Sequence, residues 1–141
     1  MAKKPTRKFI SLSDGEKNYA MSRAVVQGDW CFVSGTVGYN YAKGELPESA
    51  AQQAQNTFTN IMAALKQADF ELGHTIRVQY TVSDRKYIPE VLPVIKQHFD
   101  NILPAATMVI AGMVDPKMKI CLLYTSPSPR DATLSRMPSS A

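Results

Sequence analysis

The stretch 22–35, SRAVVQGDWCFVSG, sets two apolar runs on either side of Gln27, Gly28 and Asp29. Valine, tryptophan, cysteine and phenylalanine suit a pleated, half-buried surface, and Gly-Asp is turn chemistry between two such runs. The spacing predicts a β-hairpin, with Gly35 and Gly38 punctuating its exit. An isolated two-stranded ribbon is marginal in water, so this hairpin needs a larger sheet to join.

Working outward, GYNYAKGELPES at 38–49 has loop composition, and Pro47 and Glu48 suit the first turn of a helix. Over 51–68 the apolar positions Ala51, Ala54, Phe58, Ile61, Met62, Leu65 and Ala68 recur at spacings of three and four, with Gln52, Gln53, Asn56, Asn60 and Lys66 on the wet face. TIRVQYTVSD at 75–84 alternates with period two and reads as a half-covered strand. A second amphipathic helix spans 86–101, its stripe made of Ile88, Val91, Leu92, Ile95 and Phe99. Pro89 fits its first turn, whereas Pro93 predicts a late start or a kink. Two more strands, 105–113 and 117–124, are joined by VDPK, another turn sequence.

The order hairpin, helix, strand, helix, strand, strand is that of an α+β domain with a mixed sheet. Right-handed crossovers put both helices on one sheet face. The other face is left open, and its apolar members predict a homo-oligomer, because monomers rarely tolerate large exposed apolar patches.

A length of 141 residues fits one domain. The expected division is a basic N-terminal arm and first strand over 1–18, the domain over 19–124, and a disordered tail over 125–141. No apolar run approaches the roughly 18 residues of a membrane span. MAKKPTRK is followed by no apolar h-region, so a cytoplasmic location and no membrane partner are expected. The net charge of +4 divides into +4 from residues 1–8, +1 from 125–141 and −1 from the body. With the excess in flexible ends, nucleic-acid binding is disfavoured. Cys31 and Cys121 lie in apolar runs and read as small hydrophobes.

Spacing alone reveals no chemistry. His74 and His98 have no companion at metal-ligand spacing, so no metal is expected. Ser34 lacks a nucleophile-elbow pattern and GTVG lacks a phosphate-loop sequel. Glu45, Glu48, Asp84 and Asp115 are accounted for by capping and turns.

The arrangement AVVQGDWCFVSG, helix, RVQYTVSD, helix, LPAATMVIAGMVDPKMKI resembles the RidA/YjgF family over residues 19–120. The details that carry it are Val33, Ser34, Gly35 ending the hairpin, Ser83 and Asp84 ending the next strand, and Pro104, Ala105 opening another. The resemblance implies a chorismate-mutase-like fold, a homotrimer with a central barrel, and clefts between subunits. It also implies cofactor-free hydrolysis of enamines or imines to a 2-keto acid and ammonia. That chemistry needs an arginine on the substrate carboxylate and an acid to place water and move protons.

Carried over residue by residue, those roles meet mismatches. The family's Pro, Ala, Arg, Ser is here Pro104, Ala105, Ala106, Thr107, so the carboxylate anchor is Ala106. Its tyrosine is Met21, a helix asparagine aligns with Leu92, and the last-strand glutamate falls at Cys121. The resemblance therefore implies a cleft of Met21, Ser34, Gly35, Thr36, Tyr39, Leu92, Ala105, Ala106, Thr107 and Cys121, made apolar by Met21, Leu92, Ala106 and Cys121, with Arg23, Tyr39, Tyr41 and Thr107 as polar groups in reach. Backbone groups near Gly35 and Ala105 are expected to orient a water nucleophile. The expected ligand is a small imine, enamine or related metabolite other than the 2-imino acid. If the chain is an enzyme, it is a cofactor-free hydrolase of C=N bonds; the alternative is a non-catalytic binding or interaction trimer. Past Ile120 the resemblance stops: CLLY is apolar on both faces, and TSPSPRDATLSRMPSSA has loop composition with prolines at 127 and 129, read as a non-native tail.

Overall fold

The structure, a computed structural model, describes residues 6–127. The hairpin forms as expected: β2 (Ala24–Gln27) pairs antiparallel with β3 (Trp30–Thr36), closing at Gln27 opposite Trp30. Gly28 takes φ +59° in the turn, a conformation that glycine enters without a Cβ clash. β1 (Arg7–Ile10) adds antiparallel to β2. Arg7 and Lys8 thus sit in a strand rather than a flexible arm. Arg7 Nε donates to Gln27 Oε1 at 2.8 Å and Lys8 Nζ to the Gln67 carbonyl at 2.8 Å. A four-residue helix, α1 (Gly15–Asn18), connects β1 to β2.

The long helix α2 runs Ala50–Gln67 and starts later than the proline suggests. Ser49 accepts the Gln52 N–H at 2.9 Å, so the hydroxyl cap sets the start and Pro47 and Glu48 precede the helix. β4 (Arg77–Val82) follows, and α3 (Ile88–Phe99) begins late, after a single tight turn at Arg85–Tyr87 capped by Asp84. Pro93 is accommodated inside α3. Leu92, expected on the apolar stripe, is 44% exposed, and Val94 is buried in its place.

β5 (Ala105–Ile110) and β6 (Ile120–Pro127) are both shifted from expectation and are not neighbours. The strand order is β1-β2-β3-β6-β4-β5: β6 lies between β3 and β4, antiparallel to both, and β5 runs parallel to β4 at the edge. Residues 111–119 must therefore carry the chain past the end of β4, with Asp115 Oδ1 accepting the Lys117 N–H within that loop. β6 also takes in Thr125, Ser126 and Pro127, which face Phe32, Cys31 and Trp30, so the tail boundary expected at 125 is displaced. Pro127 is tolerated as the last strand residue. The remainder of the expected tail and Lys3 and Lys4 lie outside the described residues.

Strand register divides the sheet into two faces. Ile10, Ala24, Val33, Tyr124 and Val78 form one row, buried with Phe58, Ile61 and Leu65 of α2 and Val91, Ile95 and Phe99 of α3. The adjacent row, Phe9, Val25, Phe32, Thr125, Arg77 and Ala105, points the other way. On this open face Phe9, Phe32 and Leu123 are exposed. The α+β layout, with helices on one face of a mixed sheet, matches the expected fold class.

Two residues expected on the wet face of α2 are buried. Gln53 Nε2 donates to the carbonyls of Pro47 and Lys117, its Oε1 accepts the Lys119 N–H, and Asn60 Nδ2 donates to the carbonyls of Val37 and Tyr39. These amides replace the backbone partners that the flanking loops lack. Gly38 lies so close to α2 that a Cβ there would sit 2.3 Å from the Gln53 carbonyl oxygen. Gly38→Ala is expected to destabilise the fold by roughly 3 kcal/mol, read as a lowered urea midpoint with unchanged slope.

Candidate functional site

The sequence SLSDGE at 11–16 folds back on its own glutamate. Glu16 Oε1 accepts from Ser11 Oγ and from the Leu12 and Ser13 N–H groups, each at 2.8 Å, and Oε2 accepts from Ser13 Oγ at 2.7 Å. Burial of Glu16 by itself raises its pKa; the hydrogen bonds from Ser13, Leu12 and Ser11 outweigh that and hold the carboxyl below its ordinary value. The carboxylate is therefore ionised at neutral pH.

Facing it is Arg23 at the start of the hairpin, 7% exposed. Its Nη1 donates to the Gly35 carbonyl at 2.8 Å and to Thr36 Oγ1 at 3.2 Å, and its Nε lies 3.9 Å from Glu16 Oε2, an ion pair without a hydrogen bond. A register shift in β3 between Val33 and Thr36 accompanies this exchange, because a strand irregularity frees a carbonyl for a side-chain donor.

The pair lies at a cavity of about 1030 Å³. Tyr19 and Met21 line it from the exit of α1, Tyr39 and Tyr41 from the loop after β3, and Met113, Val114 and Met118 from the 111–119 loop. Gly35 and Cys121 line it from the strands. Burial raises the Tyr41 hydroxyl pKa, with Arg23 opposing and Glu16 adding to the shift. Burial likewise raises the Cys121 thiol, opposed by Arg23, and pushes Cys31 up to about 11. Both thiols are protonated at neutral pH and are poor nucleophiles.

Of the expected cleft residues, Met21, Gly35, Tyr39 and Cys121 line the cavity, as does Arg23. Ser34 and Thr36 serve its frame: Ser34 Oγ donates to the Ser22 carbonyl at 2.6 Å, and Thr36 is fully buried with its hydroxyl on the Ser34 carbonyl and the Arg23 guanidinium. Leu92, Ala105, Ala106 and Thr107 do not line the cavity within this chain. The three β5 residues are exposed on the edge strand, where Ala106 pairs with Val78 and the Ala105 N–H donates to the Ile76 carbonyl. Of the backbone groups near Gly35 expected to orient water, the Gly35 carbonyl already accepts from Arg23. Glu16 was absent from the expected set, although Ser13-x-x-Glu16 carries the spacing of a capping box. Among the described residues no group of three or more His, Cys, Asp or Glu could hold a metal, and no helix is long and apolar enough to cross a membrane.

Removing Glu16 leaves a buried guanidinium uncompensated and strips Ser11, Leu12 and Ser13 of an acceptor. Glu16→Ala is expected to cost about 3 kcal/mol, measured as a fall in unfolding free energy. Because the folded pKa is depressed, the stability gained from ionised Glu16 is present at neutral pH and declines as pH falls through the carboxylate range. An acid titration of Tm should therefore fall less steeply in Glu16→Ala than in the parent chain.

A family model described as Endoribonuclease L-PSP matches residues 15–122, from α1 into β6. A RutC family protein of Aquifex aeolicus is 26% identical over 92 residues, covering 65% of this chain and 74% of that protein. A 2-iminobutanoate/2-iminopropanoate deaminase of Bos taurus is 31% identical over 85 residues, covering 60% of this chain and 62% of the deaminase. Among solved structures, a Mycobacterium tuberculosis member of the YjgF/YER057c/UK114 family matches with a TM-score of 0.77 at 27% identity, covering 86% of this chain and 99% of that one. A Neisseria meningitidis YjgF family protein has the same fold at 19% identity, with a TM-score of 0.75 and coverage of 87% and 95%. With its family model matched over most of its length and its α+β, chorismate-mutase-like fold shared with these structures, the chain belongs to the YjgF/RidA family.

Proposed function

We propose that the chain forms a homotrimer that binds, and hydrolyses, a small imine, enamine or related metabolite in clefts between subunits, and that this ligand is not the 2-imino acid named for the bovine relative. The observation that carries the reading is an apolar-walled cavity of about 1030 Å³ in a family member whose position 106 is alanine. Loss of an arginine there removes a charge-assisted contact worth about 2 kcal/mol or more in a desolvated site. The apolar open sheet face supports self-association, since Phe9, Phe32 and Leu123 need cover. A neighbouring subunit's copy of β5 would then bring Ala105, Ala106 and Thr107 toward the cavity, with Leu92 nearby.

Hydrolysis adds water across C=N and releases a carbonyl compound and ammonia, with no cofactor required. Water is the nucleophile, and Tyr39 and Tyr41 are the hydroxyls at hand to guide it. A non-catalytic binding trimer is the second reading, favoured by the engagement of both cavity carboxylates: Glu16 is saturated and Asp115 holds its own loop. A ribonuclease activity finds little basic surface, since the described residues 6–127, Arg7 and Lys8 of β1 included, carry a net charge of only +1.

Ammonia release from freshly generated 2-iminopropanoate tests the substrate reading. A rate about 100-fold or more below that of an arginine-bearing relative is expected, and a comparable rate would defeat it. Sedimentation equilibrium should give three times the chain mass, and Leu123→Lys should dissociate the assembly while leaving the monomer folded.

A further inference from the structure

Arg23 is buried yet incompletely answered. Its Nη1 accounts for its hydrogen bonds among the described residues, and its Nε has no hydrogen-bond partner there. Glu16 cannot close the 3.9 Å gap without giving up some of the four donors that hold it. The buried Nε is out of a ligand's reach; what Arg23 can offer the cavity it lines is Nη2, which makes no hydrogen bond among the described residues, on a guanidinium whose charge is already balanced by a fixed neighbour. Such a donor behaves differently from a free arginine. A ligand carboxylate would bring a second negative charge beside Glu16, and two carboxylates sharing one guanidinium between apolar walls repel each other. A neutral acceptor takes the Nη2 N–H groups without that repulsion.

We infer that the Arg23–Glu16 pair selects a ligand with an apolar body and one neutral hydrogen-bond acceptor, a carbonyl or imine lacking a carboxylate. The inference rests on the reading of this cavity as a small-molecule site, and it names what that site accepts. The walls fit the same ligand: Met21, Tyr39, Met113 and Met118 offer adaptable apolar contact, and the acceptor would lie toward the hairpin start. The sites of Ala106 and Arg23 are separate in the chain, so Arg23 is no simple replacement for a carboxylate anchor at 106; with Glu16 beside it, it has the opposite preference.

The test uses two probes of nearly equal shape, phenylacetamide and phenylacetate, titrated calorimetrically into the full chain at neutral pH. The amide is expected to bind about tenfold tighter or more. A ratio near one, or one favouring phenylacetate, overturns the inference and leaves the cavity reading intact. Failure of both probes to bind below about 10 mM overturns both. Two variants then locate the effect. Arg23→Met should abolish the preference for the amide, and Glu16→Gln should shift the preference toward phenylacetate. Circular dichroism establishes that each variant is folded, and a folded Arg23→Met chain with an unchanged ratio removes Arg23 from the site. Should either variant unfold, the parent titrations decide the matter alone.

Discussion

The sheet depends on one insertion: β6, the last described strand, occupies the slot between β3 and β4 and is hydrogen-bonded to both. Every other pairing is local or joined by a helical crossover. Without β6, the β1-β2-β3 hairpin unit and the β4-β5 unit would share no backbone hydrogen bonds, and the two helices would have no continuous surface to cover. Its inward residues Ile120, Leu122 and Tyr124 are fully buried, which makes this strand the spine of the apolar core. The burial of so many inward side chains also specifies register, because a slip by one residue would send them to the open face.

Elements with strong periodicity were legible in the sequence. The hairpin, both long helices and the alternating strand at 77–82 follow from spacing and turn chemistry, since each carries its pattern within a dozen or so residues. Strand order was not legible, because VDPK has the composition of a tight turn whether or not the strands beside it pair. The fate of Gln53 and Asn60 was hidden for a related reason: their burial depends on carbonyls contributed by loops far away in sequence. Leu92 shows the converse, an apolar residue on a helix flank that the described residues leave 44% exposed.

The candidate site was half legible. Met21, Gly35 and Cys121 came from matching a family pattern and Tyr39 was read as a polar group in reach, and all four line one cavity. Ala105, Ala106 and Thr107 came from the same pattern but lie on the edge strand β5, outside the lining of this cavity. Glu16 went unnoticed because a serine–glutamate spacing reads as ordinary capping. Its second role arises only when Arg23 is folded against it.

The Glu16–Arg23 pair also shapes the electric field at the cavity. Opposite charges 3.9 Å apart project a dipolar field that falls off quickly, and the rest of the folded body is close to neutral. Solutes therefore reach the cavity mouth by unguided diffusion, and their arrival rate depends little on ionic strength.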